Sequence, residues 1–163
     1  MVFCWRRAPL LAGLLSVLAA TGCGTSVAVR DTRYAGQLQA IQQRFTAGVD
    51  DVLRGLSPHA SQTTTANAVG RYEATLAGVE LRLRAIRATP TVSRLHRHVV
   101  QTINRYGAEV RRMIGALRGP AGARLTASER RFRSATAAMS ADVQSTFQRI
   151  AATLHRDQTG MSP

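Results

Sequence analysis

The sequence predicts an all-α protein, an antiparallel up-down four-helix bundle after a cleaved signal peptide. Three observations carry that expectation. Apolar side chains recur at steps of three and four along four separate stretches. No stretch keeps up a period of two, so strands are not expected. Breakers stand where the stretches end, at Pro58, Pro90 and Gly119-Pro120.

The first stripe follows Asp31, read as an N-cap, and runs through Tyr34, Leu38, Ile41, Phe45, Val49, Val52 and Leu56 before Ser57-Pro58 closes it. Residues 57–67 are polar and Thr-rich, a loop whose end can already be helical. The second stripe takes Val69, Tyr72, Leu76, Val79, Leu83 and Ile86, and Pro90 stops it. The third takes Val92, Leu95, Val99, Ile103, Tyr106, Val110, Met113 and Leu117. Thr126-Ala-Ser-Glu129 has the form of a capping box, the Thr hydroxyl meeting an N–H three residues on and the Glu reaching back. A fourth stripe follows it through Phe132, Thr136, Met139, Val143, Phe147, Ile150 and Leu154. Short links at residues 89–91 and 119–124 require antiparallel neighbours, and helices of about 26 to 30 residues with one apolar stripe each bury those stripes together. The bundle is expected over residues 31–157, with 158–163 as a disordered tail that has nothing to pack against.

Arg33-Tyr34, Arg71-Tyr72, Arg105-Tyr106 and Arg131-Phe132 put one basic-aromatic pair on each helix. One interval approaches the tetratricopeptide period of about 34 residues, but the others differ. Core aromatics beside surface arginines explain the echo without a repeat.

Ahead of the bundle, Arg6 and Arg7 precede an apolar run over residues 8–20, the order of a secretory signal. The run is well short of the ~20 apolar residues of a spanning helix. Pro9 stands where a twin-arginine signal wants an apolar residue, so the two arginines are read as plain n-region charge. The segment Ala20-Thr21-Gly22-Cys23 resembles a bacterial lipobox, with Ala20 where such boxes more often carry Leu. Resemblance to lipoprotein precursors implies cleavage between Gly22 and Cys23 and acylation of Cys23. An ordinary signal peptide cut near Ala19 or Ala20, leaving Cys23 as a free thiol, is the alternative. The stretch 76–96 is loosely similar to short helical lipoproteins of high-GC bacteria, a likeness that implies no activity. On the lipoprotein reading, residues 1–22 are the leader and 23–30 a lipid-anchored tether. Extended at ~3.3 to 3.6 Å per residue, that tether reaches only about 25 Å and keeps the domain at the outer, extracytoplasmic face of the cell membrane.

Removing 22 of the 163 residues leaves 141, enough for one domain with a real core. Cys4 leaves with the leader and Cys23 carries lipid, so no disulfide is available and packing alone must stabilise the fold. All 22 basic residues are Arg, which reads as the codon bias of a GC-rich genome. Loss of Arg6 and Arg7 lowers the formal charge from +13 to +11, still strongly basic. Such a surface favours anionic lipid, cell-wall polymer or an acidic envelope protein, and export argues against nucleic acid.

No reactive constellation emerges. A di-metal bundle needs Glu-x-x-His pairs, and none of Glu73, Glu80, Glu109 or Glu129 has a His three residues on. His96 and His98 lie two apart on a helix, cannot chelate as a pair and are expected at the surface. His59 falls in a loop, and His155 suits a helix C-terminus. Met113 and Met139 are read as core packing in preference to haem ligation. No phosphate loop, Ser-His-Asp set or activated Cys is present, so no catalytic residue, metal ligand or cofactor is assigned. Up-down topology instead gathers Arg30, Arg33, Arg82, Arg84, Arg87, Arg94, Arg97, Arg149 and Arg156 at the end nearest Cys23, with only Asp31, Glu80 and Asp157 among them. The opposite end also carries arginines, so a solvated basic face is an equal reading. The expected function is non-catalytic binding or scaffolding at the cell envelope, the alternative a carrier of an apolar ligand or cofactor between the helices.

Overall fold

A computed structural model describes residues 23–57, 59–119 and 123–159. Four helices account for nearly all of them: α1 (Cys23–Gly55), α2 (Gln62–Ala85), α3 (Ser93–Leu117) and α4 (Ala123–Thr159). A single 3-10 turn, Pro90–Val92, lies in the α2–α3 link. α1 packs on α2 and α4, and α3 packs on the same two, so the helices stand in a square in chain order. α1 and α3 occupy opposite corners, as do α2 and α4. This is the expected all-α bundle, and no strand occurs among the described residues.

The stripes read from the sequence form its core. Phe45, Val52, Val69, Val79, Leu83, Val99, Val143 and Ile150 are wholly shielded from solvent. Ile86, Leu95 and Leu117, at the ends of their stripes, are only partly covered. The four aromatics of the basic-aromatic pairs are all core residues. Tyr72 meets Tyr106 and Phe132 edge-on at centroid distances of 6.1 and 6.5 Å, while Tyr106 and Phe132 stack at 5.9 Å. Offset and edge-on geometries set ring edges against ring faces and add to the area buried.

Helix boundaries differ from expectation at four places. Residues 23–30 are already helix within α1, where an extended tether was expected. Asp31 therefore lies inside α1 and is buried against the core; it does not cap the helix. α2 starts at Gln62, capped by Ser61, whose Oγ accepts from the Thr64 N–H at 3.1 Å. That start brings Thr65 and Ala68 into the core ahead of Val69. α4 already includes Ala123, three residues before the expected capping box, so Thr126 lies within the helix, and the helix persists to Thr159. Residues 1–22, with the expected leader and Gly22, and residues 160–163 lie outside the described ones.

The last carbonyls of a helix have no partner within it and need one from elsewhere. Here other helices supply it. At the end of α1, Gly55 C=O accepts from Thr65 Oγ1 at 3.2 Å, and Leu56 C=O accepts from the Arg133 guanidinium of α4. At the end of α3, Gln62 Nε2 donates to Leu117 C=O at 2.8 Å and to Gly119 C=O at 3.1 Å. The end of α2 is met by the His96 ring, which lies near the Leu83 backbone.

Candidate functional site

Antiparallel packing gathers the start of α1, the end of α2, the start of α3 and the end of α4 at one end of the bundle. All nine arginines expected there are exposed. Arg84 is paired with Glu80 at 2.6 Å, one helical turn away. Arg156 donates to Thr153 Oγ1 at 3.4 Å on its own helix. Among the described residues, Arg33, Arg82, Arg87, Arg94, Arg97 and Arg149 meet no carboxylate. Of the three acids at this end, Asp31 is buried and Glu80 is engaged by Arg84, which leaves Asp157 exposed.

The opposite end is basic too, but its charges are used differently. Glu109 is shared by Arg112 and, across to α4, by Arg131 at 3.6 Å. Arg133 is spent on the Leu56 carbonyl, and Arg71 of α2 pairs with Asp51 of α1 at 3.0 Å. Away from the Cys23 end, Arg71, Arg131 and Arg133 thus fasten helix to helix and Arg112 pairs within α3, while Arg111, Arg118 and Arg130 are exposed and, among the described residues, meet no carboxylate.

Beneath that basic end the core turns polar. His96 is 8 % exposed, not a surface residue as expected, and Nδ1 lies 3.0 Å from Tyr34 Oη on α1. The two rings are tilted at 57° with centroids 5.9 Å apart. Burial holds the His96 imidazole below its ordinary value; the Leu83 backbone opposes this, and the nearby Arg97 charge adds to it. In the neutral ring with its proton on Nε2, Nδ1 accepts and Tyr34 Oη donates. Burial likewise pushes the Tyr34 phenol well above its usual range, so it stays a donor. One turn nearer Cys23, Asp31 is 2 % exposed with one carboxylate oxygen lacking a hydrogen-bond partner.

His98 sits at the surface, where Nε2 is 3.1 Å from both carboxylate oxygens of Asp142 on α4. Thr102 Oγ1 donates to the same carboxylate at 3.0 Å. The His98 hydrogen bond is the larger cause holding the Asp142 carboxyl below its ordinary value, with burial opposing and Thr102 assisting. The trio clamps α3 to α4. No group of three or more His, Cys, Asp or Glu side chains among the described residues is placed to hold a metal ion. No described helix is long and apolar enough to cross a membrane.

Among the described residues, two depressions lie on the outer surface. One, of about 630 Å³ and open to solvent, lies on α1 beside Ala47, Asp50, Leu53 and Arg54. The other, of about 140 Å³, is a groove between α2 and α3 over Leu76, Ile103 and Val110, flanked by Glu73 and Arg111. No protein-family model, curated protein or solved structure matches this chain.

Proposed function

We propose that the protein is an exported, lipid-anchored helical bundle that acts without catalysis, as a binding or scaffolding module at the outer face of the cytoplasmic membrane. The observation that carries this reading is that Cys23 and nine exposed arginines, carried by all four helices and the α2–α3 link, lie at one end of the bundle. An acyl chain on Cys23 would be joined directly to a helix. At ~1.5 Å per residue the eight residues 23–30 span about 12 Å, half the reach of an extended tether, so the bundle would stand close to the bilayer. One acyl chain binds membranes only marginally, and each Arg near an anionic leaflet adds about 1 kcal/mol, so the basic end suits the second signal that stable anchoring needs. The anionic partner could be lipid, wall polymer or an acidic envelope protein.

The carrier alternative has less to support it. Ligand sites of ~300 to 1,000 Å³ are enclosed clefts, whereas the larger depression here is an open surface and the α2–α3 groove is small.

Fractionation of cells expressing the wild type and Cys23→Ala tests the proposal. The wild type is expected with the membranes and the variant in the soluble exported fraction. A wild type found free of membranes, or an identical distribution of the two, would remove the anchor.

A further inference from the structure

We propose that the Cys23 end of the bundle docks on an anionic lipid surface through a collar of arginines, with Val29 and Leu81 entering the headgroup layer. The placement rests on the lipid-anchored reading above. The docking surface is a separate claim about lipid chemistry.

Charge is the first observation. Arg33 on α1, Arg87 after α2, Arg94 and Arg97 on α3 and Arg149 on α4 are exposed and, among the described residues, meet no carboxylate. The acids that could neutralise them are buried or engaged, Asp157 apart. At the other end Arg112, Arg131 and Arg133 are committed to Glu109 and the Leu56 carbonyl. Arg111, Arg118 and Arg130 there meet no carboxylate among the described residues, so the Cys23 end differs in having more such arginines, Arg82 included.

The second observation is apolar and independent of charge. Val29 and Leu81 stand out as exposed large hydrophobic residues, at 67 % and 71 %. Tyr34 and the Leu83 backbone both meet His96, so they mark one level of the bundle. Leu81 lies two residues from that level on the side away from Cys23, and Val29 five residues from it toward Cys23, on the neighbouring helix α1. Exposed apolar side chains each followed in the chain by an exposed arginine, Arg30 after Val29 and Arg82 after Leu81, suit the boundary between headgroups and acyl chains, where the apolar group leaves water and guanidinium stems snorkel to phosphate. A soluble polyanion such as a wall polymer offers charge but no apolar phase, so the pair favours lipid over polymer.

Hydrogen exchange on the full chain bound to vesicles tests the proposal, with phosphatidylcholine alone compared against phosphatidylcholine plus phosphatidylglycerol. Phosphatidylglycerol is expected to slow exchange at residues 81–97 by about tenfold or more and to leave residues 55–62 unchanged. Leu81→Ser should weaken that protection. The triple variant Arg87→Gln, Arg94→Gln, Arg97→Gln should abolish it, whereas Arg111→Gln, Arg112→Gln, Arg118→Gln should keep it. All these side chains are exposed, so unchanged melting confirms that each variant is folded. Equal protection with both lipids, equal loss in the two triple variants, or full protection by soluble poly(glycerol phosphate) regardless of Leu81 would overturn docking on lipid. Palmitate labelling reads the anchor separately. Lipid-dependent protection with an unmodified Cys23 removes the anchor and keeps the collar, and an acylated chain without protection does the reverse.

Discussion

Tyr34 Oη stands 3.0 Å from His96 Nδ1 across the diagonal of the bundle, joining α1 to α3, two helices at opposite corners. Because the His96 ring also lies near the Leu83 backbone, it meets both α1 and α2 at the Cys23 end. Tyr34→Phe strips Nδ1 of its donor in a buried site, which is expected to cost about 1–3 kcal/mol in urea unfolding. A double-mutant cycle with His96→Leu should give a coupling energy of about 1 kcal/mol. Coupling indistinguishable from zero would mean that the contact contributes nothing to stability.

Acid should weaken this same end. His96 binds its proton less readily folded than unfolded, so the unfolded state takes up more protons as the pH falls below the ordinary histidine range. Stability is therefore full above about pH 6.5 and declines below it, until the lower folded-state value is passed. In Tyr34→Phe, His96→Leu that part of the slope should vanish. The Asp142 carboxyl is also held low, but its contribution is lost in the carboxylate range, at more acid pH. Urea midpoints between pH 8 and pH 3 separate the two windows. A wild type as stable at pH 5 as at pH 8 would contradict the assignment to His96.

Glycines at the α1–α2 contact and on open helix faces should respond oppositely to a methyl group. A Cβ on Gly55 would land inside the envelope of Ala68 Cβ, and one on Gly48 would come within 2.7 Å of Thr75 Cγ2. Gly36, Gly70 and Gly78 have nothing within 4 Å. Gly55→Ala is expected to destabilise by about 1–3 kcal/mol through overpacking. Gly70→Ala or Gly78→Ala should raise stability by up to about 1 kcal/mol, the helix propensity of Ala over Gly. Thermal melts of the single variants decide it.

Two tyrosines of one aromatic cluster should also diverge. The Tyr72 hydroxyl is buried without a partner, whereas the Tyr106 hydroxyl is bonded to Thr136 Oγ1, which itself donates to Phe132 C=O at 2.8 Å. Tyr72→Phe removes an unsatisfied group and is expected to be neutral or stabilising by about 1 kcal/mol, while Tyr106→Phe should cost about that much. Equal losses in the two variants would mean that the Tyr72 hydroxyl has a partner in solution.

The periodicity that made the bundle legible also contained the residue it missed. From the 3-10 turn through α3 the core positions are Val92, His96, Val99, Ile103, Tyr106, Val110 and Met113, a strict alternation of four and three. Leu95 drew the stripe one residue aside because it is apolar, yet residue 96 keeps the register. The start of α1 was less legible. Gly24-Thr-Ser-Val-Ala-Val carries β-branched residues and glycine of modest helix propensity, and Asp31 has the chemistry of a cap, so the helix seemed to begin there. Arg133 at the Leu56 carbonyl and Gln62 at the end of α3 join residues 77 and 55 positions apart. Such links follow from which helices become neighbours, and no local pattern announces them. The basic end was legible because alternating helix direction alone collects those arginines. Their difference from the opposite end lies in which partners each guanidinium finds, and that is tertiary.

Intact mass and N-terminal peptide analysis of the exported protein test the central claim most directly. The account predicts a chain that begins at Cys23 and carries acyl groups on that residue. A mature chain that begins at any other residue, or that bears an unmodified Cys23 thiol, would contradict it.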